Sequence, residues 1–176
     1  DVVMYQVYYN DIPIHDLRDE SLILIEPKLT LEANKAGSFE FKIPPTHPQY
    51  NSLKKMVSEV VVKEDGTEIF RGRITEDGEL FNKTKKIFCE GDLAYLNDSV
   101  QHPAEYHDMT VRGYLETILN AHNDQVASDR QFQVGIVTVK DSNDSLYRYT
   151  NWESSMQTIK EDLVDDLGGY VRTRYQ

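Results

Sequence analysis

Cysteine is almost absent. Cys89 is the only one in 176 residues, which excludes an intrachain disulfide framework and a cysteine-based zinc site. Within Lys86-Ile87-Phe88-Cys89-Glu90-Gly91, strand alternation sets it opposite Phe88, where it reads as a small buried hydrophobe and not a reactive thiol. No apolar run is long enough to cross a bilayer, and no charged-then-apolar signal segment opens the chain. Basic residues are scarce. Nineteen Lys and Arg stand against 30 Asp and Glu, a formal net charge of -11, and the pI is near 4.8. Such a surface repels phosphate backbones and anionic headgroups, so sequence-specific nucleic-acid binding is not expected and membrane binding is disfavoured. The sequence also has no G-x-S-x-G elbow, no phosphate-binding glycine loop and no Cys/His dyad signature.

What remains is an ordinary globular composition, 39% hydrophobic and 28% charged, in a length that suits one moderate domain or two small ones. From Met4 to about Asn97 the apolar residues recur with period two, the mark of strands with one buried face. Tyr5, Val7 and Tyr9 share one face as core candidates, and Asn10-Asp11 offers a turn before Ile12-Pro13-Ile14-His15. Ile23, Ile25, Leu29 and Leu31 suggest a long strand in which Pro27 marks a bend, bulge or edge. Phe39, Phe41 and Ile43 alternate up to the stop at Pro44-Pro45. Asn51 to Val57 allows one or two helical turns before the valine strand Val60-Val61-Val62. Asp65-Gly66 is a hairpin signal, and Asp77-Gly78 with Asn82-Lys83-Thr84 brackets a further strand. Short strands at such spacing imply an antiparallel barrel or sandwich.

The second half changes period. Thr110 can cap a helix of about residues 110–125, with Val111, Leu115, Ile118 and Leu119 as its apolar stripe. Phe132, Val134, Ile136, Val137 and Val139 read as a strand, and Tyr147 with Tyr149 as a shorter one. Thr150-Asn151-Trp152-Glu153 matches a capping box for a helix of about 151–167. There Trp152, Met156, Ile159, Leu163 and Leu167 form the core stripe, and Glu161, Asp162, Asp165 and Asp166 the solvated face. Gly168-Gly169 ends it, and Tyr170 to Tyr175 alternates as a final strand. A chain that stops inside a strand is expected to continue in a longer polypeptide.

Candidate chemistry is thin. His102, His107 and Glu105 lie in one short loop around Pro103 and read as solvated residues more readily than as metal ligands. His122, beside the first helical stripe, reads as a hydrogen-bonded and partly buried histidine. Asp141-Ser142-Asn143-Asp144-Ser145 begins like a calcium loop but has Leu146 where the glycine belongs and Trp152 in place of the bidentate Glu. No catalytic, cofactor-binding or metal-binding residue is assigned. From the residues alone the chain is a soluble, acidic, barrel-like β domain followed by an α+β segment.

Three stretches resemble tail-tip proteins of phages and prophages of Gram-positive bacteria. These are Pro27 to Phe41 followed by Ile43-Pro44-Pro45-Thr46-His47-Pro48, Glu68 to Ile74 leading into Cys89 to Ser99, and the helix ending in Leu167-Gly168-Gly169-Tyr170. Together they are similar to the N-terminal region of the "prophage endopeptidase tail" or minor structural protein family. The resemblance implies an α+β, mainly β fold like phage baseplate hubs. Residues 1–99 would be a barrel-like hub ring domain, and 100–176 the start of a smaller α+β domain, truncated at its C-terminal end. It further implies a homotrimeric ring at the virion tail tip, made in the bacterial host cytoplasm. Its partners would be other tail proteins: the distal tail protein, and the tail tube or tape measure. Catalysis and cofactors are not expected in this segment. Two alternatives stand beside it: the N-terminal module of a tail-associated peptidoglycan hydrolase whose catalytic domain lies beyond Gln176, and a host-receptor or carbohydrate-binding module. An exposed aromatic platform would favour sugar binding.

Overall fold

A computed structural model of the chain describes residues 3–141 and 147–173. The fold is mainly β, built on one antiparallel seven-stranded sheet curled into a half-barrel, with a smaller helical part. Its strands are β1 (Tyr5–Tyr9), β2 (Ile12–Asp16), β3 (Ile25–Thr30), β4 (Ser38–Ile43), β5 (Glu59–Glu64), β6 (Thr67–Glu79) and β7 (Lys85–Gly91). The spatial order β2-β1-β5-β6-β7-β4-β3 leaves β2 and β3 as open edges. The chain divides into two compact units, one carrying this sheet through Asp92 and the other beginning at Leu93.

Turn chemistry sets the local connections. Asn10 and Asp11 both have positive φ (43° and 66°), as do Asp65 and Gly66 (47° and 83°). A two-residue hairpin whose twist matches its strands requires that conformation, and Asn, Asp and Gly tolerate it best. Pro27 sits on the edge strand β3, beside an irregularity in the pairing with β4, where a missing N–H costs no ladder bond. Asp77-Gly78 makes no turn. β6 runs straight through it, Gly78 lying opposite Lys86, and the chain reverses at Asn82-Lys83. The ladder with β7 holds this stretch extended whatever the dipeptide prefers.

The concave face carries the core. Phe39, Phe41 and Ile43 of β4 are buried together with Val60 and Val62, Phe70 and Ile74, and Ile87 and Cys89. The rings of Phe39 and Phe41 are 5.4 Å apart, and those of Phe39 and Phe70 6.2 Å. Cys89 lies inside as alternation requires, and burial raises its thiol pKa well above the ordinary range, which makes it unreactive. Two readings change on this face. Tyr5 is exposed and Tyr9 only partly buried, so Val7 is the core residue of β1. Leu24, not Ile25 or Leu31, fills the core near β3, because the chain enters that strand from a 3-10 turn at Glu20–Leu22. Gln49 to Ser58 forms successive hydrogen-bonded turns and no helix, with Met56 at φ 63°. Two histidines fasten these loops: His47 Nε2 donates to the Ile14 carbonyl (2.8 Å), and His15 Nδ1 accepts from the Leu24 amide (2.9 Å).

The second unit holds a two-stranded antiparallel sheet, β8 (Ala104–Tyr106) with β9 (Arg148–Thr150), and a helix α1 (Val111–Asn123). Thr110 caps α1 by accepting from the Gly113 amide. Tyr114 and His122 join Val111, Ile118 and Leu119 on its buried face, while Leu115 is only partly covered. A second helix, α2 (Ser155–Ile159), continues as a π-helical segment over Lys160–Asp165. Its cap is Ser154, not Thr150. The Ser154 hydroxyl accepts from Gln157, whereas the Thr150 hydroxyl donates to the His102 carbonyl. Trp152 therefore lies outside the helix and is 57% exposed. Residues 131–140 form no strand, since among the described residues none pairs with them as a strand and side chains take up several of their backbone groups. The Asn123 amide holds both the Phe132 N–H and its carbonyl, and Arg112 donates to the Gly135 carbonyl. Tyr170 to Thr173 is likewise irregular after Gly168, whose φ of 73° and bond to Val164 close the helix. Arg174 to Gln176 and the calcium-loop-like residues 142–146 lie outside the described residues.

Candidate functional site

The sequence shows no Ser/His pair at recognisable spacing, yet folding brings one together. Ser99 Oγ lies 2.5 Å from His122 Nδ1 and 2.5 Å from Ser155 Oγ. Gln101 Nε2 reaches Ser155 Oγ at 2.7 Å and the Ile118 carbonyl at 3.1 Å, while His122 Nε2 is 2.9 Å from the Arg130 carbonyl. Every group is satisfied if the hydrogen bonds run one way. Gln101 donates to Ser155, Ser155 to Ser99, Ser99 to Nδ1, and Nε2–H to the carbonyl. A nucleophile must meet its substrate, but Ser99 is 2% exposed and Ser155 and His122 are fully buried. The chain is a structural tie between α1, α2 and the segment at 99–101. Its members stand at positions 99, 101, 122 and 155, too far apart for a local motif to reveal them.

The acidic face of the second helix is only partly solvated. A π turn spans one more residue per hydrogen bond than an α turn, so side chains beyond Ile159 are rotated from the α-helical expectation. Leu163 stays buried, and Asp162 turns in to accept from the Tyr114 hydroxyl at 2.6 Å. Burial raises the Asp162 pKa; the Tyr114 hydrogen bond opposes this, and nearby Asp166, Glu153 and Glu161 reinforce it. An acid raised in the folded state contributes stability that is present below its unfolded value, 3.8, and lost as the pH rises through the folded one. The advantage of the wild type over Asp162→Asn should therefore shrink as the pH climbs from 3.8 through the raised folded value, and level off beyond it. Denaturant titrations of both proteins at a series of pH values would show a constant difference if Asp162 were solvated.

Two exposed features stand out among the described residues. The first is the tip of the β6–β7 hairpin, where Phe81 is fully exposed and Leu80 41% exposed. The second is the outer face of the β8–β9 sheet. Its inner face is anchored: Tyr106 packs edge-on to Tyr114, and the Arg148 guanidinium lies 5.1 Å from the Tyr114 ring and pairs with Asp141 at 2.8 Å. The outer face carries Glu105, His107, Tyr147 and Tyr149, all exposed. The Tyr147 and Tyr149 rings stack at 5.8 Å, His107 lies 5.1 Å from Tyr147, and the Tyr147 hydroxyl donates to Glu105 at 3.3 Å. Beside them opens a cleft of about 330 Å³ lined by Pro103, Ala104, Glu105, Tyr147, Tyr149, Thr150 and Asn151. The His102 ring meets Trp152 at a 60° tilt with centroids 4.8 Å apart, while His107 lies against Tyr147. Among the described residues no cluster of three or more His, Cys, Asp or Glu could hold a metal ion, and no helix is long and apolar enough to cross a membrane.

No family model and no curated protein matches the chain by sequence. Solved structures resemble it in fold. A 43 kDa tail protein of prophage MuSo2 from Shewanella oneidensis aligns over 96% of this chain with a TM-score of 0.64 and 14% identity. The tail protein from Neisseria meningitidis MC58 aligns over 67% of this chain and 33% of its own, with a TM-score of 0.45 and 17% identity, a likeness too loose to carry an argument. The first likeness establishes the fold. This chain spans about half the length of that protein, 51%.

Proposed function

We propose that this chain is a structural module of a phage or prophage tail, the N-terminal part of a hub at the tail tip. In this reading three copies form a ring that joins the tail tube to the distal tip. The neighbours of the ring are the distal tail protein and the tube or tape measure. The observation that carries the proposal is the likeness of nearly the entire chain, both units included, to a prophage tail protein. The surface agrees with assembly. β2 and β3 leave open sheet edges, and a solvent-facing Phe81 at a hairpin tip is a side chain that a neighbouring protein would cover. In this reading the segment acts by building, and its buried Ser/His pair serves the fold.

Antibody raised against this chain, applied with gold labelling to tails from induced particles, tests the proposal. Label confined to the distal end is the expected result. Unlabelled tips on intact tails, with disrupted particles equally unreactive and antigen found elsewhere in the cell, would overturn it.

A further inference from the structure

Assembly gives no task to the outer face of the β8–β9 sheet. Isolated two-stranded sheets are marginal, and this one is held from behind by Tyr106, Tyr114 and Arg148. The anchoring leaves its front aromatic face open to solvent. Tyr147 and Tyr149 are 50% and 59% exposed, and their rings stack 5.8 Å apart as one aromatic patch. Trp152, the only tryptophan, stands three residues after Tyr149 and is also exposed. Its backbone is held at φ 70°, an unfavourable region for so bulky a residue, by a hydrogen bond from its N–H to the Gln101 carbonyl.

We propose that this face binds a neutral glycan, its sugar ring lying against the Tyr149 and Tyr147 side of the cleft. Three observations select that ligand. Aromatic rings bury the apolar C–H faces of a sugar and leave its hydroxyls free. Groups that can take up those hydroxyls line the same cleft: the Glu105 carboxylate and the Asn151 side chain. No Lys or Arg lines it, and Glu105 adds a negative charge to a chain of net charge -11, which disfavours phosphate- or sulfate-bearing polymers. Arg148, the cation closest in sequence, is turned to the inner face and paired with Asp141. The cleft is open and small, so binding is expected to be weak, with a Kd in the millimolar range for one short oligosaccharide. The inference is independent of where in a tail, or whether in a tail, the chain resides.

The test is a titration of the isotopically labelled chain with tetramers of glucose and of N-acetylglucosamine, followed by amide NMR shifts. Inorganic polyphosphate and a proline-rich peptide serve as the other probes. The expected result is saturable shifts at Glu105, Tyr147, Tyr149 and Asn151 with at least one neutral tetramer and none with polyphosphate. Tyr149→Ala should weaken binding roughly tenfold, and Tyr149→Phe should retain most of it. Tyr149 is exposed, so circular dichroism of both variants should match the parent. The proposal is overturned if neither tetramer moves these signals, if polyphosphate or the peptide moves them instead, or if Tyr149→Ala binds as tightly as the parent.

Discussion

Alanine at Gly91 should cost about 3 kcal/mol or more of stability, among the largest single losses expected in this chain. A Cβ built there would lie 1.7 Å from the Ala36 carbonyl oxygen, and one at Gly72 only 2.2 Å from that of Glu90. Both obstacles are backbone, so no side-chain rotation relieves them. Gly72 and Gly91 face each other across β6 and β7, and the Phe70 ring lies over the pair. The Gly91 amide meanwhile donates to the Gly37 carbonyl at 3.0 Å, which draws the turn before β4 against the sheet. Gly78, farther along β6, has open space where its Cβ would stand. Gly78→Ala should therefore stay within roughly 0.5 kcal/mol of the parent or gain slightly. Guanidinium unfolding of Gly91→Ala and Gly78→Ala separates the cases. An unchanged midpoint for Gly91→Ala would mean that the Ala36 carbonyl does not approach the strand as described.

His122→Ala should be the second large loss, roughly 2–4 kcal/mol. It removes a buried ring, the acceptor for the Ser99 hydroxyl proton and the donor to the Arg130 carbonyl. Ser99→Ala should cost about 1 kcal/mol by itself. Because the two groups share one chain of hydrogen bonds, the double variant should lose less than the sum of the singles by roughly 1 kcal/mol. A double-mutant cycle by chemical denaturation measures that coupling. Strict additivity would show that the two side chains do not act as one network.

Much of this was legible before folding was considered. Val7, Phe39, Phe41, Ile43, Ile87 and Cys89 lie inside where alternation sets them, because a strand with one buried face writes its period directly into the residues. Asn10-Asp11 and Asp65-Gly66 turn where their tolerance of positive φ allows. Thr110 caps α1, and Gly168 ends the second helix. The failures share a different cause. Asp77-Gly78 is held extended by its ladder partner, residues 131–140 alternate like a strand but find no strand to pair with, and Trp152 is excluded from a helix that starts at Ser154. In each case the local signal was real, and a distant group outweighed it.

The same division separates what the sequence determined from what only the tertiary structure decided. Period, turn residues, caps and charge are properties of neighbours along the chain, and they were enough to specify a mainly β, acidic protein with a helical second part. The Ser99–Ser155–His122 tie, the inward turn of Asp162 onto Tyr114, the close approach at Gly91 and the aromatic face shared by Glu105, His107, Tyr147 and Tyr149 all join residues distant in sequence. Those pairings exist only because hydrogen bonding and burial are satisfied in three dimensions, where separation along the chain carries no information about distance.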